Sequence, residues 1–381
     1  MNHLKSTLLV IILHTTVTVF SQAPTIEKEP ALRVNATYKG DVVSNTEGGI
    51  RTGTAYLGLV DLFLNLDTEH AGFWKGGELM IHGTNSHGEE PSANLIGDLQ
   101  VVSNIEAGNH TFLYELWYKQ EIATICITIG LQDMNAEFAG CDAGSLFINS
   151  SFGIHSVIAG NIVAPIFPLT STGLTICWEP PGLFHLKTAV YKGCPVDFES
   201  NPHNLKWDLN FQNGLLWIAE GEFSWSGQKN RENTFKAGTF FQRHRKNEGD
   251  TQTEEKNEYD YGFYLTGNHQ LSREHDKNKL NAFYQLGWSP RNDNFGYLGA
   301  GFTYSGLFSR KNKDIAGLAM ARAMMTGTSS RDETTVELTY KTQVTKNIYF
   351  QPDVQYVIQP AGTEKQLKNA VAGLLRFGME F

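Results

Sequence analysis

The chain has 381 residues, 31 Lys or Arg against 40 Asp or Glu, and a formal net charge of -9. That balance excludes the basic footprint of a nucleic-acid binder, so no nucleic-acid partner is expected. The length would serve several soluble domains or one large β-barrel, and 37 Gly with 23 Phe suit many strands, tight turns and aromatic interfaces.

The N-terminus reads as a secretory signal. Lys5 supplies the positive charge, "LLVIIL" (Leu8–Leu13) starts the apolar region, and polar "QAPTIEKEP" follows at once. The expected division is a signal over 1–22, cleaved near Ser21–Ala23, a leading segment over 23–39, and one barrel domain over 40–381. In that region no apolar run is long enough for a spanning helix.

"IHGTNSHGEE" brings His82 and His87 near Glu89 and Glu90. The spacing fits no standard zinc pattern, so the stretch is read as a solvated loop with no metal. "HTFLYELWYKQ" alternates Tyr114, Leu116 and Tyr118 against Glu115, Trp117 and Lys119. "IATICITIG" places Ile125, Ile127 and Ile129 opposite Thr124, Cys126 and Thr128. Period-two alternation means a strand with one face in an apolar medium and one in water. The four cysteines, Cys126, Cys141, Cys177 and Cys194, form no CxxC or Cys/His metal spacing, and they are read as small unpaired strand residues.

Further on, "RHRKNEGDTQTEEKNEYD" (243–260) reads as a long charged exposed loop, and "GNHQLSREHD", with His269 and His275, as another solvated loop. "EAGNH", "SPRNDN" and "TKN" are short polar turns. "ETTVELTYKTQV" sets Val336, Leu338 and Tyr340 against Glu337, Thr339 and Lys341. "NIYFQPDVQYVIQP" sets Phe350, Val354, Tyr356 and Ile358 against Tyr349, Gln351, Asp353 and Gln355. The terminal "AVAGLLRFGMEF" puts Phe377, Met379 and Phe381 on one face and Arg376 and Glu380 on the other.

One such strand fits a soluble sandwich or a membrane barrel equally. The unbroken succession of them, with short turns and longer loops, favours an all-β transmembrane antiparallel barrel of the outer-membrane porin type. At roughly 9–11 residues per strand plus its connection, the chain would close on the order of sixteen strands with both termini on one side.

Several blocks in order along the chain resemble the carbohydrate-selective porins of the OprB family: "LIGDLQVVSNIEAGNHTFLYELWYKQ", "ITIGLQDMNAEFAG", "LFINSSFG", "YSGLFSRKNKDIAGLAMARA" and, most specifically, "QPDVQYVIQPAG". The resemblance spans nearly everything from Gly40 to Phe381. It implies a sixteen-stranded barrel in the bacterial outer membrane and passive diffusion of sugars, notably glucose-like monosaccharides. It also implies that the terminal Phe381 is a signal for the barrel assembly machinery. Sugars and outer-membrane lipid are then the other partners, with no cofactor.

A sugar-selective wall needs acids, bases, amides and aromatic rings, binding weakly at several places so that the permeant can leave. The polar strand faces supply Glu115, Trp117, Lys119, Glu337, Lys341, Gln351, Asp353 and Arg376 as candidate sugar contacts. Most such charges only solvate or brace the wall, so a minority are expected to touch sugar: Glu115 and Trp117 first, since "LYELW" combines an acid and a ring on one face, then Arg376, with Asp353 at least as readily a brace. Two other functions compete. A barrel enzyme would need a Ser/His pair or grouped carboxylates, and with no GxSxG or GxxxxGK[ST] motif an enzyme is not expected. A plugged structural barrel is open on composition.

Overall fold

A computed structural model describes residues 30–207, 211, 214–226, 232–245, 257–272, 278–308, 314–326 and 331–381. The expected signal over 1–22 and His275 lie outside the described residues, as does the middle of the charged 243–260 stretch.

Sixteen strands form one closed barrel. They are β1 (Leu32–Gly49), β2 (Gly53–Asp67), β3 (Gly77–Gly88), β4 (His110–Ile122), β5 (Ile125–Gln132), β6 (Ser171–Trp178), β7 (Phe184–Lys192) and β8 (Gly214–Ser226), then β9 (Glu232–Arg245), β10 (Asn257–Gln270), β11 (Lys279–Trp288), β12 (Asn294–Ser305), β13 (Asp314–Met325), β14 (Glu333–Gln343), β15 (Ile348–Ile358) and β16 (Lys368–Glu380). Each strand pairs antiparallel with its sequence neighbours, and β1 closes on β16. The closing ladder runs to the last residue, where the Phe381 amide donates to Ala36 O at 2.9 Å. β1 starts at Leu32, so the barrel takes in part of the segment expected to precede it.

Burial separates the lipid-facing barrel from the sandwich. Outside, Ile129, Leu338 and Val354 are 57 %, 57 % and 49 % exposed, whereas Thr335, Glu337 and Gln355 are fully buried. Apolar side chains therefore point outward and polar ones inward, the reverse of a soluble core. The assigned faces hold on β14, β15 and β16: Leu375 and Phe381 point out, and Asp353 and Arg376 point in.

Connections at the two ends differ. The end with the chain termini carries the short turns, such as 123–124 and 344–347, and the other end carries 89–109, 133–170 and 193–213. We call 89–109 L2 and 133–170 L3. Exposed aromatics mark the two rims: Trp74, Trp178 and Phe184 lie at the turn end, and Tyr259 and Trp288 at the long-loop end.

L3 folds into the barrel. Its Met134, Phe138, Phe147, Phe152 and Val157 pack on Tyr191, Ile218, Phe240, Tyr264, Phe283 and Tyr297 of β7–β12. L2 does the same on the facing wall, with Leu95, Ile96, Val102 and Ile105 against Val43, Leu57 and Val357.

Four local readings are corrected. First, residues 81–88 form part of β3, so His82 is a buried wall residue and not a loop residue. His87 shares that strand and packs on Tyr38. Second, His269 lies in β10 beside Trp225 and Tyr284, and the ends of the charged 243–260 stretch belong to β9 and β10. Third, a bulge breaks the β3–β4 register between His82↔Glu115 and Gly83↔Leu113. Tyr114 is the extra residue and turns inward, 6 % exposed, instead of sharing a face with Leu116. Fourth, Cys126 and Cys177 form a disulfide. They sit opposite each other on β5 and β6, the two strands joined by L3, in a register that a single-strand pattern does not display.

That bridge joins β5 to β6 at their ends remote from L3, across a sequence separation of 51. Replacing both cysteines by Ser should lower the temperature at which the folded barrel is lost on heated gels, by on the order of 2–4 kcal/mol of stability. Thiol titration of the unfolded, unreduced protein should find two cysteines. Four reactive thiols would contradict the bridge.

Candidate functional site: the lumen and its two inward loops

Loops inside a barrel lose water from their backbone, and their N–H and C=O groups need other partners. The inward-facing positions of the strands provide them. Glu333, the first residue of β14, accepts the amides of Leu99 (2.7 Å), Gln100 (2.9 Å) and Ala361 (2.7 Å). Four residues along, Glu337 accepts the amides of Ile148 (2.6 Å) and Asn149 (3.0 Å) in L3. Glu220 on β8 accepts the amide of Ala139 at 2.9 Å. Amides on the wall take the carbonyls: Gln351 donates to Leu146 O (2.7 Å), Gln355 to Val102 O (2.9 Å) and Gln285 to Phe152 O (3.1 Å). Gln242 both accepts from Val163 N and donates to Val163 O, as a neighbouring strand would.

A second set of wall residues is joined in charged networks. Arg376 makes a two-pronged bond to Asp41, 2.7 Å on each oxygen, and a third bond of 2.8 Å to Asn104 of L2. Ser103 closes the group by donating to Asp41 at 2.6 Å. Such planar pairing is what a guanidinium and a carboxylate do best. Across β2–β4, His82 lies between Asp61 (3.0 Å) and Glu115 (3.3 Å). Glu115 also accepts from the Trp117 indole (3.2 Å) and from the amide of Asp133 at the start of L3 (3.2 Å). Lys187 reaches Glu137 of L3 at 2.7 Å, and Lys236 lies 3.8 Å from Glu222.

All eight sequence-predicted residues stand on inward-facing positions, but they divide into two groups. Glu115, Glu337, Gln351, Asp353 and Arg376 are buried, each 8 % exposed or less. Gln351 joins L3 to Thr339, Asp353 accepts from Gln355 at 3.3 Å, and the others hold the partners just described. Trp117, Lys119 and Lys341 remain half-buried. Lys119 pairs with Glu121 at 3.0 Å, and the Lys341 ammonium sits 4.0 Å over the Tyr349 ring. The structure brings Glu115 together with Trp117, and Gln351 with Thr339 beside Glu337, but it leaves those two groups on different walls.

Asp41, Asp61, His82, Glu220 and Glu333 escaped the sequence reading. Glu333 heads an alternating strand and was within reach of that pattern. Asp41 and Asp61 owe their role to partners on other strands, which no local pattern displays.

Several acids in the loops are strained toward the neutral form. Burial pushes Glu106 of L2 up to about 7, although both its oxygens accept the Ser92 amide at 3.1 Å. Burial also pushes Asp133 up to about 6, against the pull of the Tyr114 hydroxyl that donates to it at 2.6 Å.

A closed sixteen-strand barrel, apolar outside and carrying loops folded into its lumen, defines the class of outer-membrane channels. Within that class the chain belongs to the carbohydrate-selective porin, OprB family, whose model matches residues 51–381. It is an outer-membrane sugar channel. The high-pH structure of Pseudomonas putida OprB is similar at 19 % identity, with a TM-score of 0.79, covering 92 % of this chain and 94 % of that one. The low-pH structure of the same protein matches at 16 % identity and a TM-score of 0.62, covering 92 % and 93 %. A loop L8 deletion mutant of OmpT from Vibrio cholerae matches at 10 % identity and a TM-score of 0.55, covering 92 % and 99 %. No curated protein matches the chain.

Glu106 gives a signed pH test. Its folded pKa is raised, so its contribution is present below the unfolded value and is lost as pH rises through about 7. Glu106→Gln should therefore stabilise the barrel at pH 8, on the order of 1–3 kcal/mol, and change little at pH 5. Heat-induced unfolding of both proteins at the two pH values measures the difference. An equal effect at both would show that Glu106 is not held near neutrality.

Proposed function

We propose that this channel passes neutral monosaccharides such as glucose, without catalysis, by weak successive contacts along a lumen many of whose charges are paired. The observation that carries this reading is the self-pairing: Arg376 with Asp41 on β16 and β1, Lys187 of β7 with Glu137 of L3, and His82 with Asp61 and Glu115, the last of which holds the Trp117 indole. Paired charges offer donors and acceptors to hydroxyl groups without presenting one sign to ions. The indole offers a face to the C–H side of a pyranose. No single contact is strong, and that is what release requires.

Of the eight candidate contacts, Trp117, Lys119 and Lys341 are the ones this reading gives to the sugar. Glu115 acts through Trp117 by fixing its indole, and Glu337, Gln351, Asp353 and Arg376 act by holding the loops. A catalytic role has less support, because His82 spends both ring nitrogens on carboxylates. The plugged-barrel reading draws on one observation, the packing of both L2 and L3 inside the wall. Conductance in a planar bilayer decides it: the sugar-channel reading requires a steady open current that glucose reduces, and a closed barrel shows neither.

The same reading places the termini and short turns in the periplasm, residues 1–22 as a cleaved export leader, and Phe381 as the residue read by the assembly machinery. Lipid covers the outward faces.

Trp117→Ala should assemble normally and show weaker block of ion current by glucose, about two- to tenfold in the half-blocking concentration, as for the loss of one modest contact. Deleting Phe381 should do the converse. Less heat-modifiable barrel should reach the outer membrane, while channels that do assemble keep near-normal conductance. Unchanged glucose block in Trp117→Ala, or full assembly without Phe381, would contradict the corresponding assignment.

A further inference from the structure

Beneath L3, against the wall opposite Trp117, the lumen holds a cavity of ≈ 400 Å³. That is within the roughly 300–1,000 Å³ of small-ligand sites. Its wall comes from the turn ends of six successive strands. Thr234 lies near the start of β9, Asn268 near the end of β10, Asn281 near the start of β11 and Lys341 near the end of β14. L3 forms the roof through Asp142 and Ser145.

Thr234, Asn268, Asn281 and Ser145 offer hydroxyls and amides to this bay, Asp142, Glu232 and Lys341 add charges of both signs, and Leu146 of L3 and Ile315 of β13 add apolar surface. All four polar groups are anchored from behind, Thr234 by the Ser224 hydroxyl at 3.3 Å. Asn268 Oδ1 accepts the Ala143 amide at 3.1 Å, Ser145 Oγ donates to Asp142 O at 2.6 Å, and Asn281 Nδ2 donates to Thr303 Oγ1 at 3.4 Å. Hydroxyls and carboxamides keep spare lone pairs or N–H groups after one such bond. The bay therefore offers several neutral donors and acceptors in fixed places, flanked by charges of both signs on Asp142, Glu232 and Lys341, beside an apolar surface. That combination suits a pyranose, with its ring of hydroxyls and its C–H face, better than an inorganic ion.

From this juxtaposition we propose that the bay beneath L3 is a second sugar-binding subsite, on the periplasmic side of the constriction, taking a neutral hexose. It rests on the sugar-channel reading and adds a place to it. A sugar leaving the Trp117 wall meets the bay next, and two weak sites in series allow a permeant to be handed on without either holding it long.

The test is glucose block of ion current through the purified full-length channel in planar bilayers. The variants are Asn281→Leu and Thr234→Val, which preserve side-chain volume, and Ser145→Ala, which alters only the roof. Each should raise the half-blocking glucose concentration about three- to tenfold, as expected for one or two lost hydrogen bonds. Open-channel conductance without sugar should stay near that of the wild type. Heat-modifiability on gels identifies the variants that fold, and Ser145→Ala, being on the loop and outside the barrel ladder, carries the test if a wall variant does not. Wild-type block with no change in the folded variants would overturn the bay while leaving the channel reading intact. A wild-type channel that glucose never blocks would overturn both.

Discussion

The barrel depends on one exchange: buried backbone amides of the inward loops for carboxylates and carboxamides on the wall. L2 and L3 bring long apolar segments into the lumen, and the packing of Phe138, Phe147 and Phe152 on β7–β12 holds them there. Apolar packing alone would strand their peptide groups. Glu333 and Glu337, four residues apart on the same face of β14, collect the amides of both loops, and Gln355 on β15 bonds L2 on one side and L3 on the other. Bonds from an N–H to a carboxylate are among the stronger kinds, and leaving such a carboxylate unmatched in a dry site is costly. Both loops are therefore anchored together at β14 and β15, with further bonds to L3 from Glu220, Gln242 and Gln285.

The same economy governs the outer wall. A charge facing lipid at midplane would cost roughly 2–4 kcal/mol, and strand alternation turns Asp41, Asp61, Glu115, Glu220, Glu337, Asp353 and Arg376 inward. Once inside, they cannot all face water, because the loops occupy much of the space. They pair instead, as Arg376 does with Asp41 and His82 with two acids. Trp117, Lys119 and Lys341 are left partly open, and Lys341 also lines the bay beneath L3 on the wall opposite Trp117.

The sequence shows the faces well and the partners poorly. Alternation alone oriented Val336 against Glu337, Phe350 against Gln351 and Phe377 against Arg376, because each strand reports its own two environments. It failed at Tyr114, where a bulge adds one residue and turns the side chain inward, and a bulge has no period of its own. It failed at His82 because the flanking Gly83 and Asn85 resemble turn residues, whereas here they pave a strand. Cys126 and Cys177 were legible as strand residues, but their pairing needs the register of β5 on β6. For Glu115 and Arg376 the inward direction was visible, but the Asp41, Asn104 and His82 groups that hold them come from distant parts of the chain.

The central claim is that wall carboxylates hold L3 in the lumen and thereby set the passage. Single-channel conductance of Glu337→Ala beside Glu337→Gln and the wild type tests it most directly. The account predicts that Ala, which removes both acceptors for Ile148 and Asn149, gives a larger and noisier current with weaker glucose block. Gln, which keeps one acceptor, should fall between Ala and wild type. A folded Glu337→Ala barrel with wild-type conductance and wild-type block would contradict it.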